Sequence, residues 1–222
     1  MQKLLKLVRC IVDDEHRLAF QLHQSRWKAV SHEAGLTFQI GGWDGETSSL
    51  ALILAIWESV EFYRSFHQLR HDQLVAMVDH ADLIREIETS FFQCLFTLPD
   101  NYSPFSGLFQ SGYLQLELCE TNSDQWEAFV NAQVNLWNPA FHDPNGMRSR
   151  IISKNLANEN SFLVVSIWES KNHHDEYWAN APESREAANL RTAIKPVQNY
   201  RIKLIDDWTV VGKFGNDNER TQ

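Results

Sequence analysis

Two similar stretches organise this chain: LALILAIWESVEFYRSF at residues 50–66 and FLVVSIWESKNHHDEYW at residues 162–178. Each is an apolar run that ends in Ile-Trp-Glu-Ser, and the two tryptophans, Trp57 and Trp168, lie 111 positions apart. Neither run alternates apolar with polar residues, and such a continuous run is typical of a strand buried on both faces. The repeat predicts the same buried strand and the same following helix in both halves.

Further identical residues follow the same order at spacings of 109 to 111 positions, which indicates a duplicated unit of roughly 100 residues. The pairs are Cys10 and Cys119, Ala19-Phe20 and Ala128-Phe129, Trp27 and Trp137, His32 and His142, and Gly35 and Gly146. Two prolines and a glycine in TLPDNYSPFSG, residues 97–107, break any regular element between the halves. We predict a first domain at 1–98, a linker at 99–107, a second domain at 108–213 and a polar tail at 214–222.

Each half has the pattern strand, helix, strand, strand, helix, strand, which is that of a ferredoxin-like domain. Helices cover one face of such a sheet, yet the runs at 50–57 and 161–168 need cover on both faces. We therefore expect the two sheets to pack face to face as one intramolecular barrel, with the helices outside. The predicted class is α+β, with two tandem ferredoxin-like domains.

Composition excludes several functions. The formal net charge is −9 and no basic cluster is present, so we expect no nucleic-acid partner. Cys10, Cys94 and Cys119 cannot all pair, and neither CxxC nor zinc spacing occurs, so reduced buried thiols in a cytoplasmic protein are expected. The first ten residues are too short and too charged for a signal peptide or a membrane span, and we expect no membrane partner.

Three motifs carry a resemblance to a known family: QIGGW at residues 39–43, ILAIWES at 53–59 and RHD at 70–72. With these the chain resembles the dimeric α/β-barrel superfamily of antibiotic-biosynthesis monooxygenases and, within it, the uncharacterised YdbC-like family. The likeness covers roughly residues 4–96, and the second half resembles a diverged copy with ISKN in place of QIGGW. The resemblance implies a barrel that two chains usually build and that this chain, a pseudo-dimer, builds alone.

Haem-degrading members of that superfamily use a helix tryptophan and a histidine ten residues later. Trp178 fits the first position, but Ala188 occupies the second, and the first half has Phe66 and Ala76. Because the set is incomplete in both halves, we expect no haem and no other cofactor.

The Trp-Glu-Ser repeat is interpreted as a structural joint. Tryptophan suits the core, serine the N-cap of the next helix, and glutamate the positive end of its dipole. A catalytic motif would need a proton donor or nucleophile aimed into a cavity, and nothing in these three residues requires one. HHDE at residues 173–176 is similarly interpreted as a solvated helix face.

His71 is the candidate general base, because an imidazole beside a carboxylate, here Asp72, can be a tuned acid–base group. Adjacent helix residues need not pair, however, and a helix-surface position is the alternative. His67 and His71 share a helix face, but two histidines do not make a metal site, so no metal is predicted. We expect a pocket between the sheet and helices of the first half. Its candidate ligand-binding residues are Trp27, His32, Gly42, Trp43, Trp57, Tyr63 and His67.

Two of these positions have a structural alternative. His32 could cap the C-terminal end of a helix, and Gly42 could belong to a bulge before a turn. The pattern thus favours two functions. One is a small-ligand binder or cofactor-independent monooxygenase-like enzyme for an aromatic or conjugated molecule. The other is a non-enzymatic module whose second half only closes the barrel. An open pocket with His71 at its wall would favour the first. The sequence leaves open the ligand, enzymatic activity, a site in the second half and further association.

Overall fold

The computed structural model describes residues 2–79, 81–98, 112–121, 126–135, 146–180 and 195–213. The predicted linker and polar tail lie outside these ranges, as do Trp137, His142 and Ala188. The strands described are β1 Leu4–Ile11, β2 Leu36–Asp44, β3 Leu50–Trp57, β4 Glu86–Leu98, β5 Tyr113–Glu120, β6 Met147–Asn155, β7 Ser161–Trp168, β8 Lys195–Leu204 and β9 Val210–Val211. The α-helices described are α1 Arg17–Gln24, α2 Val60–Leu69, α3 His71–Val78, α4 Trp126–Asn135 and α5 Lys171–Asn180.

The chain divides into two compact units. The first comprises Met1–Gln93 and Ile202–Gln222, and the second comprises Cys94–Arg201. Strands β4 and β8 therefore each have residues in both units. The domain borders drawn from the sequence stay predictions, because residues 99–111 lie outside the described part of the chain.

The sheet of the first unit is antiparallel, in the order β4-β1-β3-β2, with the end of β8 and the short β9 paired to β2. All eight residues of β3 are buried, as the continuous apolar run predicts. One face of this sheet packs against helices. Ala55 and Trp57 meet Phe66 of α2 and Leu74 of α3 in one apolar cluster. The chain order β1-α1-β2-β3-α2-β4 is the ferredoxin-like order predicted.

The second unit repeats this design. Strand β7 pairs antiparallel with β5 on one side and with β6 on the other, and every residue of β7 after Ser161 is buried. Phe129 of α4 packs against Phe162, Ile152 and Val164 of the sheet. The order β5-α4-β6-β7-α5-β8 matches that of the first unit, so the α+β, tandem ferredoxin-like prediction is confirmed.

Two predicted helices differ from expectation. The first helix changes after α1 to a 3-10 helix, Ser25–His32. The second is divided at Arg70, whose backbone leaves the helical region (φ −132°, ψ −25°), so that α3 begins at His71. Within the described ranges, every helix is too short or too polar to cross a lipid bilayer.

Candidate functional site

The Trp-Glu-Ser repeat forms the same strand-to-helix joint in both units. Trp57 and Trp168 are 3% and 1% exposed. The Oγ of Ser59 accepts a hydrogen bond from the backbone N–H of Phe62 at 3.5 Å, which caps α2. Ser170 Oγ accepts one from the N–H of His173 at 3.3 Å. Tryptophan is thus core and serine is cap, and these interactions account for the motif without a catalytic role.

A glycine completes each joint. The N–H of Glu58 donates to the carbonyl of Gly35 at 2.8 Å, and the N–H of Glu169 donates to that of Gly146 at 2.7 Å. Both glycines have positive φ, 77° and 74°. A Cβ on Gly35 would lie 2.2 Å from Cγ of Phe62. Glycine is therefore required both for the backbone conformation and for the close approach of the next helix.

A cavity of about 500 Å³ lies in the first unit, between one face of its sheet and the helices that cover that face. Most of its lining is apolar, and a few polar groups are spread among the apolar side chains. The lining residues are Lys6, Val8, Cys10, Gln24, Trp27, Gln39, Ile53, Tyr63, His67, His71, Val75, Ala81, Ile84, Arg85, Ile87, Thr89 and Phe91.

Strand register places two long polar side chains in the floor of the cavity. Lys6 of β1 is directly opposite Ala55 of β3, and Ala55 is directly opposite Gln39 of β2. On its other side Lys6 is opposite Phe91 of β4. Residues in register lie on the same face of a sheet, here the face beneath the helices. Ala55 has only a methyl group, so no long side chain stands between Lys6 and Gln39 in this register.

Aromatic side chains at helical spacing form the roof. The rings of Tyr63 and His67 have centroids 5.8 Å apart. His67 stacks on His71 at 4.5 Å with an interplanar angle of 21°. Trp27 lies 6.5 Å from His71. This arrangement brings together four of the predicted site residues, Trp27, Tyr63, His67 and His71, along one wall.

His71 pairs with its neighbour although helix geometry did not require it. Its Nδ1 lies 3.1 Å from Oδ1 of Asp72, and the His71 side chain is 22% exposed whereas that of Asp72 is 98% exposed. Both residues stand in the first turn of α3, where the helix begins anew after Arg70. With a proton on Nδ1 shared with Asp72, Nε2 keeps its lone pair and can accept a proton.

Burial shifts the pKa of three cavity groups. It lowers the pKa of Lys6 to about 8, against a smaller opposing effect of Cys10. It raises the pKa of Cys10 to about 12, which leaves an unreactive thiol, and it also raises the pKa of Tyr63. The Lys6 ammonium lies 5.4 Å from the centre of the Tyr63 ring, within the range of a cation–π contact.

The four other predicted residues are not among the described residues that line this cavity. His32 is exposed at the end of its 3-10 helix. Trp57 is buried against Phe66, with ring centroids 4.9 Å apart. Trp43 packs on Phe20 at 5.6 Å and is covered further by Arg17 and Trp208. Gly42 pairs with β8, and a Cβ there would lie 2.2 Å from the carbonyl of Lys203.

The prediction of a solvated face at residues 173–176 is wrong for His174. This residue is 2% exposed and packs edge-on against Trp168, with ring centroids 5.4 Å apart. It stands four residues after the cap Ser170, as Tyr63 does after Ser59, and that position turns inward towards the joint tryptophan. Burial lowers the pKa of His174, although Asp175, 2.9 Å from its Nδ1, opposes the shift.

Sequence reasoning missed Lys6 and Gln39. The signal was present in the alternation of Leu4, Lys6, Val8 and Cys10, which puts a lysine on the buried, helix-facing side of a strand. The three cysteines are free. No group of three or more histidine, cysteine or acidic side chains that could hold a metal occurs in the described ranges.

Solved structures of other proteins share the fold of this chain. An anthrone oxidase-like protein is 11% identical with a TM-score of 0.70, over 96% of this chain and 94% of its own. A Lactobacillus acidophilus NCFM protein, provisionally named a monooxygenase, is 11% identical with a TM-score of 0.68, over 95% of this chain and 97% of its own. The chain thus has a monooxygenase-like fold, as its motifs indicated.

Residues 4–92 match the family described as Domain of unknown function (DUF4937). The uncharacterized protein YdbC of Bacillus subtilis (strain 168) is 34% identical over 92 residues, which are 40% of this chain and 77% of YdbC. The chain belongs to this family, and the match lies in the half that holds the cavity.

Proposed function

We propose that the first unit binds a small aromatic or otherwise conjugated molecule in its cavity. The observation that supports this best is the cavity itself, because about 500 Å³ is within the range of small-molecule sites. Apolar side chains such as Val8, Ile53 and Phe91 supply the area that a ligand would bury, and a few polar groups would fix its orientation.

The shape of the walls favours a flat ligand. Tyr63, Phe91 and Trp27 present rings to the cavity, and Tyr63 and Phe91 lie 5.1 Å apart. Ring faces stack on planar conjugated groups, which gives such ligands an advantage over branched aliphatic ones. Val75 and Ile84 fill the space beside the rings.

His71 is the proposed general base for a reaction without a cofactor. Its Nε2 would accept a proton from a methylene group that aromatic rings or a carbonyl make acidic. The carbanion would transfer its electrons to O₂ with formation of a C–O bond, and loss of water would leave a carbonyl. Overall, one CH₂ and one O₂ give one C=O and one H₂O, so the substrate is the only reductant.

Anthrone is a suitable model compound, because its methylene lies between two aromatic rings. We expect the full chain to consume one O₂ per anthraquinone formed and His71→Ala to lose most of this rate. His32→Ala is the matched control, since His32 is exposed and outside the cavity lining. Binding of anthrone without any turnover would contradict the catalytic role and favour the non-enzymatic module. Absence of binding would contradict the cavity as a site for such molecules.

A further inference from the structure

We infer that the cavity of the first unit takes a ligand with one oxyanion, a carboxylate, phenolate or enolate, held between Lys6 and Gln39. The inference rests on the proposed function, because it concerns the same cavity. It adds the charge of the ligand and the two side chains that recognise it.

Lys6 is a cation without a counterion in the part of the chain that the structure describes. No carboxylate of the described residues lies within ion-pair distance of its ammonium, which faces the ring of Tyr63. With its pKa lowered to about 8, the amine is still mostly protonated at neutral pH. A cation removed from water and left unpaired is unfavourable, so an anionic group brought by a ligand would be strongly stabilised there.

Gln39 adds a second donor without a hydrogen-bond partner among the described residues. It belongs to the same row of residues in register across the sheet, Gln39, Ala55 and Lys6. The residue is 8% exposed, it lines the cavity, and its Nε2 has no hydrogen-bond partner among the described residues. Gln39 and Lys6 flank Ala55, two strand spacings or about 10 Å apart at the backbone. Both side chains are long enough to reach one oxygen acceptor bound between them.

The other cation of the cavity is already neutralised. Arg85 Nη1 lies 2.5 Å from Oδ1 of Asp13, and its Nε lies 3.7 Å from Oε1 of Glu86. Among the described lining residues, the charge that lacks a partner is therefore that of Lys6.

The second unit shows what the row looks like when the chain supplies its own carboxylate. There Arg150, Ser166 and Gln115 are in register, as Gln39, Ala55 and Lys6 are in the first unit. Glu117 Oε2 lies 3.6 Å from Nη2 of Arg150, and Gln115 Nε2 donates to Oε1 of Glu117 at 3.3 Å.

Glu117 corresponds to Val8 in the repeat, at the same spacing of 109 positions that separates Cys10 from Cys119. The first unit thus has a cation, Lys6, but has Val8 at the position of the Glu117 carboxylate. A carboxylate or similar anion from outside would take the place that Glu117 occupies in the second unit.

The test compares two probes of the same shape by calorimetric titration of the full chain at pH 7. 2-Naphthoate carries the oxyanion, and 2-acetonaphthone is its neutral counterpart. We expect the wild-type chain to bind 2-naphthoate at least tenfold more tightly. Lys6→Met should reduce that preference to less than twofold, and Val8→Glu should do the same by supplying an internal carboxylate. Lys28→Gln is the control and should keep the preference, because Lys28 is an exposed cation outside the cavity lining.

Equal affinity of the wild-type chain for both probes, or an unchanged preference in Lys6→Met, would overturn the inference and leave the proposed function standing. Failure of both probes to bind would instead contradict the cavity as a site for conjugated molecules. If Lys6→Met does not fold, as judged by circular dichroism, Gln39→Leu provides the same readout. That variant should weaken 2-naphthoate by severalfold and leave 2-acetonaphthone unchanged, and equal weakening of both would count against the inference.

Discussion

The two units share a joint but differ in what lies above the sheet. Trp57 and Trp168 end equivalent buried strands, and a capped helix follows each. Past the cap the units diverge. At the spacing of 111 positions that separates the joint tryptophans, His67 and not Phe66 of the first unit corresponds to Trp178 of the second. The indole Nε1 of Trp178 donates to Oε1 of Gln115 at 3.4 Å, and Gln115 is the counterpart of Lys6 in the second unit.

The difference teaches which part of the duplication is architectural. The joint needs a core tryptophan, a cap and a glycine at positive φ, and both units retain all three. In the second unit the polar row includes a carboxylate, that of Glu117, whereas in the first unit the described residues place no carboxylate beside Lys6. The proposed ligand site therefore depends on side chains that the repeat does not share.

The largest effect is expected from the glycines of the joint. Gly35→Ala should reduce the free energy of unfolding by about 2–4 kcal/mol, because positive φ is unfavourable for alanine and its Cβ would meet the Phe62 ring. Gly146→Ala should have a similar cost, since its Cβ would lie 2.3 Å from the ring of His173. Urea unfolding of each variant and of the wild-type chain measures these losses in the free energy of unfolding. A cost below 0.5 kcal/mol for either would contradict the equivalence of the joints.

The next effect comes from Lys6 and depends on pH. Its pKa is about 8 in the folded chain against an ordinary value of 10.5, so the unfolded chain binds more protons between these values. Stability should therefore rise from pH 8 to pH 10.5, by about 3 kcal/mol relative to Lys6→Met. The other titratable groups of the cavity are Cys10, Tyr63, His67, His71 and Arg85, and all are present in both proteins.

Urea unfolding of the wild-type chain and of Lys6→Met at four values between pH 7 and pH 10.5 gives this difference. Arg85→Gln should follow the wild-type curve, because an arginine does not titrate in this range. Parallel curves for the wild-type chain and Lys6→Met would show that the ammonium is not desolvated.

A smaller effect on stability is expected from two histidines, His174 of the second unit and His71 of the first. His174→Ala should cost about 2 kcal/mol, because it removes a ring packed against Trp168, whereas His71→Ala should cost less than about 1 kcal/mol. The pKa of His174 is lowered, so its contribution is present above pH 6.5 and lost as pH falls through the folded pKa. Thermal unfolding between pH 5 and pH 8 tests this. A larger loss for His71→Ala would mean that His71 is structural.

The smallest effect concerns the caps. Ser59→Ala and Ser170→Ala should each lower the free energy of unfolding by about 1 kcal/mol, because each removes the acceptor for one helix N–H. Ser59→Asp should restore most of the loss, since aspartate is an equally good cap. An unchanged free energy of unfolding in either alanine variant would contradict the capping role of these serines.

Most of the fold could be predicted because the repeat gave the order of elements and the apolar runs gave the buried strands. Helical spacing also predicted that His67 and His71 share a face. Gly42 lies an odd number of residues from Gln39 on β2 and hence on the opposite face of the sheet from the cavity. Lys6 was missed because its position beside Gln39 depends on the register of β1, β3 and β2. Strand register cannot be read from a single stretch of sequence.

Binding stoichiometry tests the central claim most directly. Calorimetric titration of the full chain with 2-naphthoate at pH 7 should give one site per chain, and Lys6→Met should weaken binding at that site about tenfold. One site is expected because Glu117 neutralises the equivalent row of the second unit. Two equal sites per chain, or one site whose affinity is unchanged in Lys6→Met, would contradict the assignment of the ligand site to the first unit.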